Sequence, residues 1–114
     1  MSKRSDKFLL EDIIESIDKI QKYTKNLSKD DFKEDDMRLD AVVRNFEIIG
    51  EAANRLSHEI QKEYQTVQWK RIIGFRNRIV HEYFGIDIEI LWSIIENNLE
   101  DLKMKISEII EGNQ

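Results

Sequence analysis

Apolar residues recur at intervals of three and four along most of the chain, a spacing that places them on one face of an α-helix. Four such stretches stand out, at about residues 6–24, 37–56, 67–82 and from 87 to near the C-terminus. Each stretch carries a single apolar stripe, so the helices must pack against one another to bury it. The pattern predicts an all-α fold, a small antiparallel bundle of four to five helices.

Helix boundaries are marked by small polar residues and by glycine. Candidate caps precede the first, second and fourth helices, and a glycine follows the third: Ser5, Asp36, Asp87 and Gly85. The polar segment 26–36 is expected to be a loop, with a short helical turn near Phe32. The segment 57–67 has helix-forming residues but a weak apolar pattern, and a break is expected near Gln65.

Two further features of the pattern concern packing. Gly50, Ala52 and Ala53 form a patch of small residues on the second helix, where another helix could approach closely. Trp69 and Trp92 are most simply explained as residues that anchor the core.

Composition narrows the class of protein. A length of 114 residues predicts one domain spanning 1–114, with a core large enough to fold alone. The absence of cysteine excludes disulfides, thiolate catalysis and cysteine-ligated zinc. Neither a signal peptide nor an apolar run of membrane-spanning length is visible, so we expect a cytoplasmic protein with no membrane partner.

Candidate chemistry is concentrated between Arg76 and Tyr83, a stretch that also contains Asn77, Arg78 and His81. The net charge of the chain is −5, which argues mildly against non-specific binding of nucleic acid. Residues 68–81 nevertheless contain four cations and no acid. These cations are Lys70, Arg71, Arg76 and Arg78. The local charge is compatible with a small anion-binding site.

Helical geometry tests whether these residues could form one site. At about 100° per residue, Arg76 and Tyr83 lie roughly 20° apart, and Arg78 and His81 roughly 60° apart. Arg76 and His81 are roughly 140° apart and do not converge while the helix is regular. Either the helix loosens at His81, as Gly85 would permit, or two chains build the site around a two-fold axis.

The residues suit the cleavage of RNA without a metal. In that reaction the 2′-hydroxyl attacks the neighbouring phosphorus, and the leaving 5′-oxygen must be protonated. His81 could transfer these protons near neutral pH, since histidine titrates there. Arg76 could stabilise the added negative charge of the phosphorane, while Asn77 and Arg78 position the substrate.

Each residue also has a simpler explanation. His81 could cap a helix end, Arg76 and Arg78 could form surface ion pairs, and Tyr83 could be a half-buried core residue. His58 has no clear partner in sequence and is expected to be exposed.

A metal site is not expected. Glu47 and Glu51 stand one helical turn apart and could form a carboxylate pair. No His-x-x-Glu set accompanies them, so we expect neither a metal nor a cofactor.

At these residues the chain resembles a known family. Arg76-Asn77-x-x-x-His81-x-Tyr83 resembles the Arg-x4–6-His signature of HEPN domains, and more narrowly the Arg-x4-His-x-Tyr form of HepT-like toxins. The segments 44–53 and 69–85 are similar to the second-helix and catalytic segments of that family. Many relatives carry a proline shortly before the tryptophan. Here residues 65–69 read Gln-Thr-Val-Gln-Trp, which leaves the start of the third helix open.

The resemblance implies a HEPN-like homodimer in which Arg76 and His81 of both chains face a shared cleft. It further implies a metal-independent endoribonuclease acting as the toxin of a toxin–antitoxin system. The antitoxin would be a minimal nucleotidyltransferase of the MNT type, which would transfer AMP to Tyr83. An added phosphodiester there would occupy the anionic site and repel RNA.

Two other functions remain open at this stage. One is a non-catalytic helical module that binds nucleotide, RNA or the nucleotidyltransferase through the same basic residues. The other is a structural helical dimer in which the motif forms ion pairs and caps. The structural dimer is the weaker of the two, because a stretch of charge +4 without acids is unusual in a scaffold.

Overall fold

The computed structural model describes residues 4–81 and 87–112, with only the backbone of residues 80 and 81. Within these ranges the chain is helical and contains no strand. The described helices are α1 (Asp6–Thr24), α2 (Lys29–Glu34), α3 (Asp36–Arg55), α4 (His58–Glu63), α5 (Trp69–His81), α6 (Ile88–Asn97) and α7 (Leu99–Gly112). The all-α bundle predicted from the sequence is confirmed.

Helices α1 and α3 form an antiparallel pair at the centre of the bundle. The Asp6 carboxylate at the start of α1 accepts hydrogen bonds from the backbone N–H and hydroxyl of Ser57, just beyond the end of α3. At the opposite end, the Arg38 guanidinium near the start of α3 donates to the Tyr23 carbonyl at the end of α1. Helix α7 packs on α1, while α2 and α5 pack on α3.

The core follows the apolar stripes read from the sequence. Trp69 and Trp92 are both buried, as predicted. Phe32 is fully buried and lies against the Trp92 ring with a centroid separation of 5.2 Å. This contact explains why the polar segment 26–36, expected to be mainly loop, contains α2. One apolar residue holds the helix on the core, and the Ser28 hydroxyl caps its first turn.

Three helix limits differ from expectation. Helix α3 begins one residue early, because Asp35 and not Asp36 accepts a hydrogen bond from the Arg38 N–H. Helix α5 begins at Trp69 and not Val67, after a turn in which the Trp69 indole N–H donates to the Tyr64 carbonyl. The expected fourth helix is two helices, with the joint at Asn98, whose N–H caps the Ile94 carbonyl. Asparagine is a poor residue for a helix interior.

Helices α3 and α5 approach each other closely at Gly50. A Cβ added to Gly50 would lie 2.0 Å from Cβ and 2.6 Å from Cγ of Arg76. The small-residue patch on α3 therefore lies where another helix, α5, packs closely, as predicted. Its consequence is that the Arg76 stem rests directly on the backbone of α3.

None of the helices described in 4–81 and 87–112 combines the length and apolar content needed to cross a membrane.

Candidate active site

Arg76 occupies the α3–α5 crossing and is the best-defined member of the predicted site. Its side chain is 31% exposed, because the stem is covered by Gly50 while the guanidinium reaches the surface. One terminal nitrogen lies 3.0 Å from the Glu51 carboxylate. The other donates to the side-chain oxygen of Asn77 at 3.0 Å. The guanidinium is therefore held on two sides, by α3 and by its own helix.

The Nε of Arg76 is buried, and the described residues supply it with no hydrogen-bond acceptor. A buried donor without an acceptor is costly, so the placement of Arg76 at this crossing carries a cost in stability. Arginine remains charged at all physiological pH values, so the guanidinium presents a permanent positive charge to its surroundings.

A cleft of about 300 Å³ opens beside Arg76, between α1, α3 and α5. Most of its wall comes from one face of α3, with α1 opposite and Arg76 contributed by α5. The lining residues are Leu9, Asp12, Arg44, Glu47, Ile48, Glu51, Ala52, Arg55 and Arg76.

Charge in the cleft is largely paired. Asp12 accepts two hydrogen bonds from Arg4, at 2.8 and 2.9 Å. Glu47 lies 3.6 Å from Arg44, a long contact between partly exposed groups that contributes little stability. Arg55 makes no ion pair or side-chain hydrogen bond with any described residue. The cleft therefore offers Arg55 to an incoming anion, beside an Arg76 guanidinium that Glu51 and Asn77 already hold.

The other predicted site residues are placed unevenly. Asn77 and Arg78 are exposed on α5, and Arg78 makes interactions of its own. His81 is the last residue of α5, but its side chain lies outside the described residues. Tyr83, like Gly85, also lies outside them. His58 is exposed, as expected.

The backbone of α5 is helical as far as His81, and this limits how Arg76 and His81 could form one site. At about 100° per residue a regular helix sets the positions of Arg76 and His81 roughly 140° apart, and Arg76 is the one that lines the cleft in the described residues. One of the two routes considered from the sequence, loosening of the helix at His81, concerns residues 82–86, which lie outside the described ranges.

Comparison with known proteins identifies the family of the chain. A family model described as ribonuclease HepT-like matches residues 13–109, which cover α3, α5 and the motif between Arg76 and Tyr83. The chain belongs to the HepT-like family. This confirms the resemblance drawn from the sequence.

Individual relatives agree with this HepT-like assignment. A Methanocaldococcus jannaschii protein named as a candidate RNase is 37% identical over 106 residues, which are 93% of this chain and 97% of the relative. A Thermococcus cleftensis protein named "Probable ribonuclease HepT" is 34% identical over 107 residues, 94% of this chain and 97% of the relative.

A second M. jannaschii protein, named as a gamma-glutamylcyclotransferase and candidate RNase, is 37% identical over 105 residues. The match covers 92% of this chain and 47% of that relative. No solved structure matches the chain.

Sequence reasoning missed the acid that faces Arg76 in this HepT-like chain. Glu51 was considered as half of a carboxylate pair with Glu47, yet each of the two acids contacts an arginine. The basic stretch, which contains no acid of its own, is therefore partly neutralised by an acid of α3. Gly50 was the available signal, since the residue beside a close helix crossing is well placed to reach across it.

Within the described ranges, no group of three or more histidine, cysteine, aspartate or glutamate side chains is arranged as a metal site.

Proposed function

We propose that this protein is an endoribonuclease that cuts RNA by attack of the 2′-hydroxyl on the adjacent phosphorus, without a metal. His81 transfers the protons and Arg76 stabilises the phosphorane. Asn77 and Arg78 position the substrate. The observation that carries the proposal is the location of Arg76: its stem is fixed on Gly50 and its guanidinium lines an open cleft. Membership of a family described as ribonucleases supports the same reaction.

The active unit in this proposal is a homodimer. A regular α5 sets the positions of Arg76 and His81 roughly 140° apart, a separation at which one chain is poorly suited to bring both to the same phosphate. A two-fold axis would place Arg76 of one protomer near His81 of its partner and form two equivalent sites. The backbone of α5 is helical as far as His81, and this regular geometry supports a site shared between two chains over a site within one chain.

Neutralisation by an antitoxin is the second part of the proposal. The partner is a minimal nucleotidyltransferase of the MNT type, which transfers AMP to the Tyr83 hydroxyl. The phosphodiester that forms carries a negative charge two residues from His81, where it would compete with RNA for the arginine. Intact-mass analysis of the protein after co-expression with such an enzyme tests this part. A mass gain that persists in Tyr83→Phe would exclude Tyr83 as the acceptor.

The decisive experiment is cleavage of RNA by the purified protein in EDTA. We expect wild type to release fragments with 2′,3′-cyclic phosphate ends. His81→Ala should lower the rate by about 100-fold or more, and Arg76→Ala by roughly 100- to 1000-fold. His58→Ala is the matched control, since it removes the other histidine, which is exposed on α4. Parental activity in His81→Ala would refute the assigned mechanism.

The alternative function is a non-catalytic module that binds nucleotide, RNA or the nucleotidyltransferase. The ion pair between Arg76 and Glu51 favours it to some extent, because part of the arginine's charge is already satisfied. In that case Arg76→Ala would weaken binding while no preparation, wild type included, cleaved RNA. Mass spectrometry showing unmodified Tyr83 must accompany a negative result.

A further inference from the structure

The exposed face of α5 carries a continuous basic stripe, which we call the α5 stripe. It consists of Lys70, Arg71, Gly74, Asn77 and Arg78, and its line along the helix continues to the backbone position of His81. At about 100° per residue these positions fall within an arc of roughly 120°. The residues of the stripe from 70 to 78 are all exposed, whereas Trp69, Ile73 and Ile79 on the opposite arc are buried or half-buried. Helix α3 packs on that opposite arc.

The charge of the α5 stripe is positive and, at its first turn, not neutralised. The stripe contains three fixed cations and no acid. Lys70 makes no ion pair with any described residue, and Arg71 donates to the neutral side chain of Gln68 at 2.7 Å. This concentration of charge, on a chain whose total is −5, creates a local field that attracts a polyanion.

Gly74 lies at the centre of the stripe, and neither packing nor backbone conformation requires a glycine there. A Cβ at this position would meet nothing within 4 Å. None of the described glycines has a positive φ. Glycine in an exposed helix interior is unfavourable relative to alanine. What it provides is an uncovered stretch of backbone that another molecule can approach closely.

From this arrangement we propose that the α5 stripe is the track on which an RNA strand lies. Lys70 and Arg71 bind phosphates at one end, Gly74 lets the strand approach the helix, and the stripe leads to His81. From Lys70 to His81 the helix rises about 16 Å, which corresponds to several phosphate spacings of a nucleic-acid strand. The preferred substrate is therefore an oligonucleotide of several residues. This inference rests on the proposed function, since it extends the same site.

A second copy of the chain is a less suitable occupant of the stripe. Two stripes facing each other across a two-fold axis near Gly74 would set Lys70 and Arg71 of one protomer against Arg78 of its partner. Juxtaposed like charges oppose association. In the proposed dimer, the stripe therefore borders the shared cleft and does not form the contact between protomers.

The test is RNA binding measured over a range of salt concentrations, with a 12-nucleotide RNA and fluorescence anisotropy. The variant is Lys70→Gln with Arg71→Gln, and the matched control is Lys22→Gln with Lys25→Gln, two exposed lysines at the end of α1. Removing two phosphate contacts should reduce the slope of log affinity against log salt by about 1.4 and the affinity at 0.1 M salt by roughly 20-fold. The control variant should bind like wild type.

Gly74→Ala tests the close approach of the RNA strand to the helix separately from the charge of the stripe, since the variant retains every cation. We expect a several-fold loss of affinity with an unchanged salt slope. An unchanged slope in the Lys70/Arg71 variant would overturn the proposal, even if His81→Ala abolished cleavage. A reduced slope in a protein that never cleaved RNA would support the stripe and refute the nuclease. Loss of the dimer, measured by light scattering, with RNA binding intact would overturn the proposal in favour of a protein interface.

Discussion

Gly50 and Gly74 differ in what a methyl group would meet at each position. At Gly50 the added Cβ would overlap the Arg76 stem, with separations of 2.0 Å from Cβ and 3.3 Å from Cα. At Gly74 it would enter open space. The same substitution, glycine to alanine in the same pair of helices, should therefore have opposite effects on stability.

We expect Gly50→Ala to destabilise the protein by about 1–2 kcal/mol. Overpacking costs roughly 1–3 kcal/mol, which outweighs the gain in helix propensity. Gly74→Ala should stabilise by about 0.5–1 kcal/mol, since only propensity and the entropy of the unfolded chain change. Urea unfolding of both variants beside wild type measures the two changes. Equal stability of Gly50→Ala and wild type would mean that α3 and α5 do not cross at this residue.

Residue-level prediction from the sequence succeeded where a local pattern was sufficient. The apolar stripe and Ser5 located α1 correctly, and the small patch located the close approach at Gly50. The pairing of Arg76 with Glu51 was not predictable in the same way. It depends on the crossing angle of two helices, and the spacing of residues within each helix carries no information about that angle.

At the scale of elements, α2 and α6 are joined by Glu89, which binds two lysines of α2. The carboxylate accepts from Lys29 at 2.7 Å and from Lys33 at 2.6 Å. The pKa of Glu89 is lowered to about 2, mainly by the hydrogen bond from Lys29 and next by the hydrogen bond from Lys33. The same contact raises the pKa of Lys29. The start of α6 is thereby tied to α2, which the Phe32–Trp92 contact also holds against it.

This pairing predicts a defined pH dependence. Because the folded pKa of Glu89 lies below its ordinary value, the pairing stabilises the protein above about pH 4.5 and is lost as the pH falls towards 2. Glu89→Gln should remove that part of the acid dependence. The measurement is thermal unfolding between pH 2 and pH 6, at low and at high salt. The three side chains are partly exposed, so salt should weaken the effect.

Glu108→Gln is the matched control, since Glu108 is exposed on α7 and has no ion pair with any described residue. Its acid dependence should remain that of wild type. If Glu89→Gln and Glu108→Gln changed the acid dependence equally, the effect would be general loss of negative charge and not the α2–α6 contact.

The sequence predicted the long helices, but it indicated only a short turn where α2 lies and missed the joint between α6 and α7. A single buried aromatic, Phe32, is enough to hold α2 on the core, but one apolar residue produces no periodicity. The joint at Asn98 was missed for the opposite reason. Leu91, Leu99 and Ile106 continue one buried face through it, so the apolar pattern shows no interruption although the helix ends.

At the scale of the whole molecule, the open question is whether one chain or two supply the catalytic pair. Helix α5 runs as far as His81, and a regular helix sets the positions of Arg76 and His81 roughly 140° apart. A site shared across a two-fold axis makes a quantitative prediction. Arg76→Ala and His81→Ala should each be inactive alone, but a dimer containing one chain of each retains one intact site.

The experiment mixes the two variants under conditions that permit subunit exchange. Random exchange places half the population in mixed dimers, each with one intact site of two, so about a quarter of wild-type activity should return. Native mass spectrometry of differently tagged chains verifies that mixed dimers have formed. Verified mixed dimers without activity would mean that Arg76 and His81 act within one protomer. The two-chain site would then be wrong, while RNA cleavage itself remained possible.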